Sequence, residues 1–415
     1  MIMDCSKYLD MCDCGYEHVL ETKLVVVEDN AIAKFEDYMQ QVGLGDKKRA
    51  VVYDSFIYDL MKAQGKLIKA DQEIVLPAKG LRAEDVLIED MMTKLESPEV
   101  IVAYGAGTIM DFGRYPAYKL GIPFVAVPTL ASSDGFTASI CSAIIKGQKK
   151  STKMCAPALV VCDLDIVKGA PMRLVSSGIN DILAKYVSVV DWKIATMVSG
   201  EAFCPMVCGL AEEALEIMRG AADKMAATGE VDHEAMTMAQ MKSGLTMQLW
   251  ENSRAASGAE HLMAHLVEMH PPRFEKAEGI HGECVGVGTF AAIKEYHRLA
   301  ALTPKAKPFE PLSSEWVMEK FGERLYDGIM KENANDVLGT FDPQNIVDHW
   351  DEIKQLIDAI PSVEEMENLY KACGCKYLPE HIGIDPALES EMLPISAAIR
   401  NRLTLIRMCR VLDFE

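Results

Sequence analysis

At 415 residues, with 49% apolar and 25% charged side chains, the chain has the balance of a globular protein and length enough for more than one domain. A formal charge of −20 with no Lys/Arg stripe sets it against nucleic-acid phosphates and anionic lipid surfaces, and no apolar run approaches the roughly 20 residues that span a bilayer. The acidic start, MIMDCSKYLDMCDCGYEH, does not read as a secretory signal, so the cytoplasm is the expected location and the twelve cysteines are expected as reduced thiols.

In chain order, residues 23–27 (KLVVV) predict a short buried strand, and Asn30 a cap for a helix ending near Gly43. The unit repeats in KKRAVVYDSFIYDLMKAQG, a β-branched run ending at Asp54 and then a helix. EIVLP is a third strand and LRAEDVLIEDMMTKLES an amphipathic helix; residues 98–121 give strand, glycine turn and helix, and IPFVAVPT a further strand. This alternation predicts a parallel, Rossmann-like sheet covered by helices. From about Val167 the β-branched runs nearly vanish and long Ala/Met/Leu-rich stretches of 3.6-residue period take over. The expected architecture is an α/β domain over 1–166 and an all-α domain over 167–415. TPKAKPFEPLSSE and PEHIGIDPALES read as loops from their prolines.

Four of the nine histidines, His261, His265, His270 and His281, fall within residues 257–288. His261 and His265 are four apart and share a helix face, while His281 opens a second apolar run after Pro271-Pro272. Imidazoles on two facing helices suit a divalent metal, although any one of them also reads as an ordinary core or surface histidine. Asp181, after the glycine of SSGINDILAK and near an expected helix start, is the candidate third ligand.

Gly105-Ala-Gly107 between VIVAY and a helix would let backbone approach a pyrophosphate at a helix N-terminus, though Met110 stands where the dinucleotide fingerprint has its third glycine. Asp54 at a strand end suits a ribose 2′-hydroxyl and so NAD over NADP; equally, it suits a helix N-cap. Residues 128–135 (PTLASSDG) would line a cofactor or polyol pocket, with Asp134 accepting from substrate hydroxyls, or form a plain turn. GQKKSTK at 147–153 reads as a solvated hairpin or a phosphate clamp of Lys149, Lys150 and Lys153. The pairs Cys12/Cys14 and Cys373/Cys375 lack the two-residue spacing of a zinc knuckle and read as structural or incidental thiols. HExxH, G-x-S-x-G and the P-loop GK[ST] are all missing, which excludes a zincin protease, a serine hydrolase of the elbow type and a P-loop NTPase.

Taken together, the order GAGTIMD, PTLASSDGFT, GINDILAK, SGAEHLMAHLVEM and HGECVGVGT resembles the sn-glycerol-1-phosphate dehydrogenases. These sit in the superfamily of iron-type alcohol dehydrogenases, glycerol dehydrogenases and dehydroquinate synthases. The resemblance runs from about Val25 to Thr289, with an echo in Arg400-Asn-Arg-Leu-Thr404. It implies the dehydroquinate synthase-like fold, with Gly105, Gly107, Thr108, Ile109, Met110 and Asp111 along the NAD(P) pyrophosphate. Thr129, Leu130, Ala131, Ser132 and Ala138 would border the cofactor, and Asp134 the substrate. Asp181, His261 and His281 match the family's metal ligands, Asp181 also facing substrate, and His265 matches a substrate-contacting catalytic histidine. Ala106, Met110 and Ala138 depart from residues common among relatives.

The implied enzyme is a metal-containing, NAD(P)-dependent dehydrogenase interconverting dihydroxyacetone phosphate and sn-glycerol 1-phosphate. Zinc or nickel would be its metal, with iron also compatible, and it would be a homo-oligomer, dimer or higher. Its partner is a small phosphorylated triose or polyol; nucleic acid and membrane insertion are not expected. A glycerol or other polyol dehydrogenase of the same superfamily, and a non-catalytic NAD- and metal-binding regulator, are the alternatives.

Overall fold

Long β-branched runs with few charges are what a parallel sheet buried on both faces requires. In the computed structural model, which describes residues 1–9, 12–145 and 148–415 apart from the side chains of 148–151, these runs become such a sheet. The strands are β1 (Ile2–Asp4), β2 (Leu24–Glu28), β3 (Arg49–Asp54), β4 (Gln72–Leu76), β5 (Val100–Gly105), β6 (Phe124–Pro128) and, beyond the antiparallel pair β7 (Ile140–Ile145) and β8 (Gln148–Lys153), β9 (Leu159–Asp163). The seven-stranded sheet has the order β1-β2-β9-β6-β5-β3-β4. All its pairings are parallel except that of β1 with β2. On one face Val26, Val51, Val102, Val125 and Val161 close a core with Phe35 and Met39.

The helices between strands are α1 (Phe35–Gln41), α2 (Ser55–Ala63), α3 (Asp85–Met92) and α4 (Gly107–Leu120). Asn30 does not cap with its side chain as expected; it takes a left-handed conformation (φ 55°) ahead of a 3-10 turn, Ala31–Lys34, and α1 starts only after it. Gly43 (φ 78°) ends the helix as predicted. Residues 148–153 do form one arm of a hairpin, β8 pairing with β7 from Ile140↔Lys153 to Ile145↔Gln148.

The chain divides into two units, Met1–Gly178 with Val231–Ser253, and Ile179–Glu230 with Arg254–Glu415. The boundary therefore falls later than the expected 166/167, after α5 (Leu164–Val167) and inside α6 (Met172–Leu183). Following α7 (Lys185–Ser199) and α8 (Pro205–Thr228), α9 (His233–Leu249) belongs to the first unit although its sequence is purely helical. Gln248 shows why: its amide bonds Thr22 Oγ1 (2.7 Å), while its Oε1 accepts from the Glu21 backbone (3.0 Å).

The second unit continues with α10 (Ala259–Glu268), α11 (His281–Ala300), α12 (Ser314–Glu332), α13 (Gln344–Asp348), α14 (Trp350–Asp358), α15 (Val363–Ala372), α16 (Glu389–Ser396) and α17 (Leu405–Met408). It is not wholly helical: β10 (Pro304–Ala306) and β11 (Leu412–Phe414) pair antiparallel, bringing the stretch after α11 against the last residues of the chain.

Candidate functional site

The second unit gathers the histidines. On α10, His261, His265 and Glu268 follow each other at intervals of four and three and so share one face. His281 is the first residue of α11. Asp181 sits in the last turn of α6, not at a helix start as expected, because the helix already runs through Gly178. The glycine is there for clearance: a Cβ at 178 would run into the Ala131 carbonyl.

His261 Nε2 lies 3.4 Å and His281 Nε2 3.6 Å from Asp181 Oδ1, and the three ligand atoms lie within 4.8 Å of one another. The other ring nitrogen of each histidine is held by a carboxylate: His261 Nδ1 by Glu260 at 2.7 Å, His281 Nδ1 by Glu268 at 2.9 Å. Glu268 also takes His265 Nδ1, at 3.1 Å, on its second oxygen. A carboxylate accepts, so each Nδ1 carries the proton and each Nε2 can offer a lone pair. Carboxylate–imidazole pairing of this kind is what orients metal-bound histidines. Ligands at about 2.1 Å from a tetrahedral ion are separated by roughly 3.4 Å, close to the spacing found here, so the donor set fits a divalent cation.

The electrostatics agree. Burial alone would raise the Asp181 carboxyl; the Lys185 ammonium and the two imidazoles overcome it and hold the group far below the usual carboxylate range. Burial opposes a charge on His261, yet Asp181 and Glu260 on either side hold its pKa up to about 9. His261 thus carries a proton on the side facing Asp181, which a cation bound there would displace. His265 is different: burial draws it down to about 3 in spite of Glu268, with the Arg400 charge adding to the effect, so its ring is neutral at pH 7.

Glycines let these helices close on each other. A Cβ on Gly288 of α11 would run into the Glu260 backbone carbonyl of α10, and one on Gly286 into the Asn180 amide of α6. At the start of α10, Asp191 accepts from Ala259 N (2.9 Å), Tyr296 Oη (2.7 Å) and Leu405 N (2.8 Å), fixing the helix that presents His261.

The nucleotide candidates are in the first unit. Gly105 ends β5, Ala106 is the N-cap of α4 and Gly107 its first residue. A Cβ on Gly105 would crowd Ile109 (2.9 Å), whereas Gly107 is exposed and has nothing near it, which leaves backbone open to a phosphate. Thr129 N donates to the Gly105 carbonyl (3.1 Å), so the turn after β6 lies beside the turn after β5. Thr108, Leu130, Ala131 and Ser132 are partly exposed there; Ile109, Met110 and Thr129 are buried, so in them only backbone is offered. Asp111 accepts from Ser142 N (3.4 Å), and Ala138 is wholly buried.

Asp54 does cap a helix, Oδ1 accepting from Ile57 N at 2.9 Å, and it stands on β3 next to β5. Asp134 is buried and takes a hydrogen bond from Ser243 Oγ (2.8 Å). Lys153 pairs with Glu251 in the first unit; the side chains of Lys149 and Lys150 lie outside the described residues. His270 has left-handed backbone (φ 46°) and bonds the Phe274 carbonyl, the ordinary role left open for it. Sequence reading missed Glu260, Glu268 and Lys185. Only Glu268 had a legible signal, its spacing of seven from His261.

Residues 26–171 match the iron-containing alcohol dehydrogenase family. A solved structure described as a probable glycerol dehydrogenase from Sinorhizobium meliloti 1021 shares the fold, with a TM-score of 0.61 at 16% identity over 93% of this chain and 94% of that one. Glycerol-1-phosphate dehydrogenase [NAD(P)+] of Geobacillus stearothermophilus is 29% identical, covering 97% of this chain and 96% of the relative. The enzyme so named from Halalkalibacterium halodurans is 30% identical, covering 98% and 97%. The chain belongs to the glycerol-1-phosphate dehydrogenase family, within the iron-containing alcohol dehydrogenases.

Proposed function

We propose that the protein interconverts dihydroxyacetone phosphate and sn-glycerol 1-phosphate, with NAD(P)H as hydride source and a divalent metal held by Asp181, His261 and His281. The observation that carries this is the pair of imidazoles whose Nε2 atoms face one carboxylate oxygen while their Nδ1 atoms are held by Glu260 and Glu268. A divalent ion in that site supplies Lewis acidity to the carbonyl oxygen on which charge builds during reduction. A carboxylate with two imidazoles accepts zinc, nickel or iron.

The chain's own groups do the rest. With Nδ1 bound to Glu268, the neutral His265 presents Nε2 as a hydrogen-bond acceptor that orients a substrate hydroxyl, while Glu268 steadies the ring. Asp134, held by Ser243, accepts from a further substrate hydroxyl. The turns at 105–111 and 129–132 carry the dinucleotide, with Asp54 towards its ribose and Ala138 behind them. For the substrate phosphate, Arg400, whose charge acts on His265, is a further candidate in addition to Lys149, Lys150 and Lys153.

The protein is expected in the cytoplasm and as a homo-oligomer, dimer or higher, which light scattering on the purified chain tests. No described helix is long and apolar enough to cross a membrane.

The deciding assay follows NADH and NADPH oxidation with dihydroxyacetone phosphate, dihydroxyacetone and glyceraldehyde 3-phosphate, before chelation, after it, and with zinc or nickel restored. Turnover is expected with dihydroxyacetone phosphate and lost on chelation. Preference for unphosphorylated dihydroxyacetone would make it a polyol dehydrogenase, and no turnover with any substrate a binding protein. Asp181→Ala and His281→Ala should each lose both bound metal and activity, whereas His265→Ala should keep the metal and lose rate.

A further inference from the structure

We propose that Cys12, Cys14 and His18 hold a second metal ion, a structural zinc, in the first unit of the chain. Their ligand atoms lie within 4.8 Å of one another, and Cys14 Sγ is 3.3 Å from His18 Nε2. Zinc bound to one sulfur at about 2.3 Å and one nitrogen at about 2.0 Å would separate them by roughly 3.5 Å.

The histidine is set for the task. His18 Nδ1 lies 2.8 Å from the Leu249 carbonyl at the end of α9. A carbonyl can only accept, so Nδ1 carries the proton and Nε2, on the thiol side, keeps its lone pair. The loop's backbone orients the sulfurs as well: Cys14 N donates to Cys12 Sγ (3.3 Å), which holds the two cysteines in one tight turn. Gly15 then turns the chain through a left-handed conformation (φ 84°) that another residue would resist.

The other thiols make a contrast. Burial pushes Cys5 up to about 12 and Cys155 and Cys373 up to about 11, which keeps them protonated and poor ligands. Cys373 and Cys375 are both buried, and Cys373 Sγ bonds the Ala222 carbonyl, so that pair keeps its incidental reading. Cys12 and Cys14 are only partly buried, within reach of an ion from solvent.

Two thiolates and an imidazole select zinc over magnesium or calcium, whose ligands are oxygens. The ion would close the loop of residues 12–18, which the His18 bond to the Leu249 carbonyl ties to the end of α9. Tyr16 packs edge-on against Trp250 (5.2 Å) in the same place, and Gln248 holds Glu21.

The test uses the full chain carrying Asp181→Ala, so that the other metal site does not contribute, loaded with cobalt(II) under reducing conditions. One cobalt per chain with a sulfur-to-cobalt charge-transfer band is expected, and the added substitution Cys14→Ser should abolish both. Cobalt bound without that band, or a stoichiometry unchanged by Cys14→Ser, would overturn the assignment. Alkylation of the unsubstituted chain, mapped by mass spectrometry, gives a second measurement independent of variant folding. Zinc should protect Cys12 and Cys14, and chelation should expose them to label. Equal labelling with and without zinc, or a Cys12–Cys14 disulfide in the zinc-treated chain, would also defeat it. Both readouts are separate from dehydrogenase activity.

Discussion

Glu268 serves two rings with one carboxylate, Oε1 to His281 and Oε2 to His265. An amide has only one accepting atom, so Glu268→Gln must turn an N–H toward one of the rings and disturb its tautomer. Loss of such a partner typically weakens metal binding by about 10- to 100-fold. That loss should appear in chelator competition with the fold intact by circular dichroism; unaltered affinity would remove Glu268 from the site. At this scale the sequence was most informative about the candidate ligands Asp181, His261 and His281 and about His265 beside them. His261 and His265 could be placed on one face by spacing, and Asp181 and His281 by motif. Of the carboxylates behind them only Glu268 had a legible spacing; glutamate on a helix is ordinarily solvated, and burial is what makes Glu260 and Glu268 partners of the rings.

The run HGECVGVG is odd as a helix, since each interior glycine costs roughly 0.5–1 kcal/mol relative to alanine. Close approach explains it: Gly288 meets the Glu260 backbone and Gly286 the Asn180 amide. The usual sign of a glycine substitution should therefore reverse. Gly220→Ala on α8, where a Cβ meets nothing, should stabilise by about 0.4–1 kcal/mol. Gly288→Ala should destabilise and loosen metal binding, both read by urea denaturation with and without zinc. The strands β2, β3, β5 and β6 were legible from their β-branched runs. β1 and β9 were not, the first for its brevity, the second because LVVCD runs straight into a helical stretch. The placing of α9 with the sheet was hidden too, because it depends on contacts such as Gln248 with Thr22 rather than on local pattern.

Across the whole molecule, residues 303–390 offered little to sequence reading, yet they contain one of the most connected charges in the second unit. Asp336 accepts from Arg407 Nε (3.1 Å) and Arg410 Nη1 (2.6 Å), and Arg407 Nη1 also donates to the Ala397 and Arg400 carbonyls. Burial would raise the Asp336 carboxyl, but the Arg407 charge and the donors around it bring it below its ordinary value. Burial draws Arg407 down as well, so desolvation dominates at the arginine and the ion pair at the aspartate. A depressed folded pKa contributes stability that is complete above the unfolded value, about 3.9, and is lost as pH falls through the folded one. Asp336→Asn should lower stability at pH 7 by about 3–5 kcal/mol, as for breaking one side of a buried pair. It should also flatten the loss of stability below about pH 4; equal acid slopes in thermal melts of the two proteins would contradict this.

The antiparallel β1 has a consequence for handling the protein. It covers the outer side of β2, whose Leu24, Val25, Val26 and Val27 are all buried. An uncovered strand of that composition is a template for pairing with another chain, whereas a three-residue strand offers little for a further copy to grip. A chain clipped before Leu24 would keep Asp181, His261 and His281 and would still be lost to strand-edge aggregation, failing in solubility before it failed in chemistry.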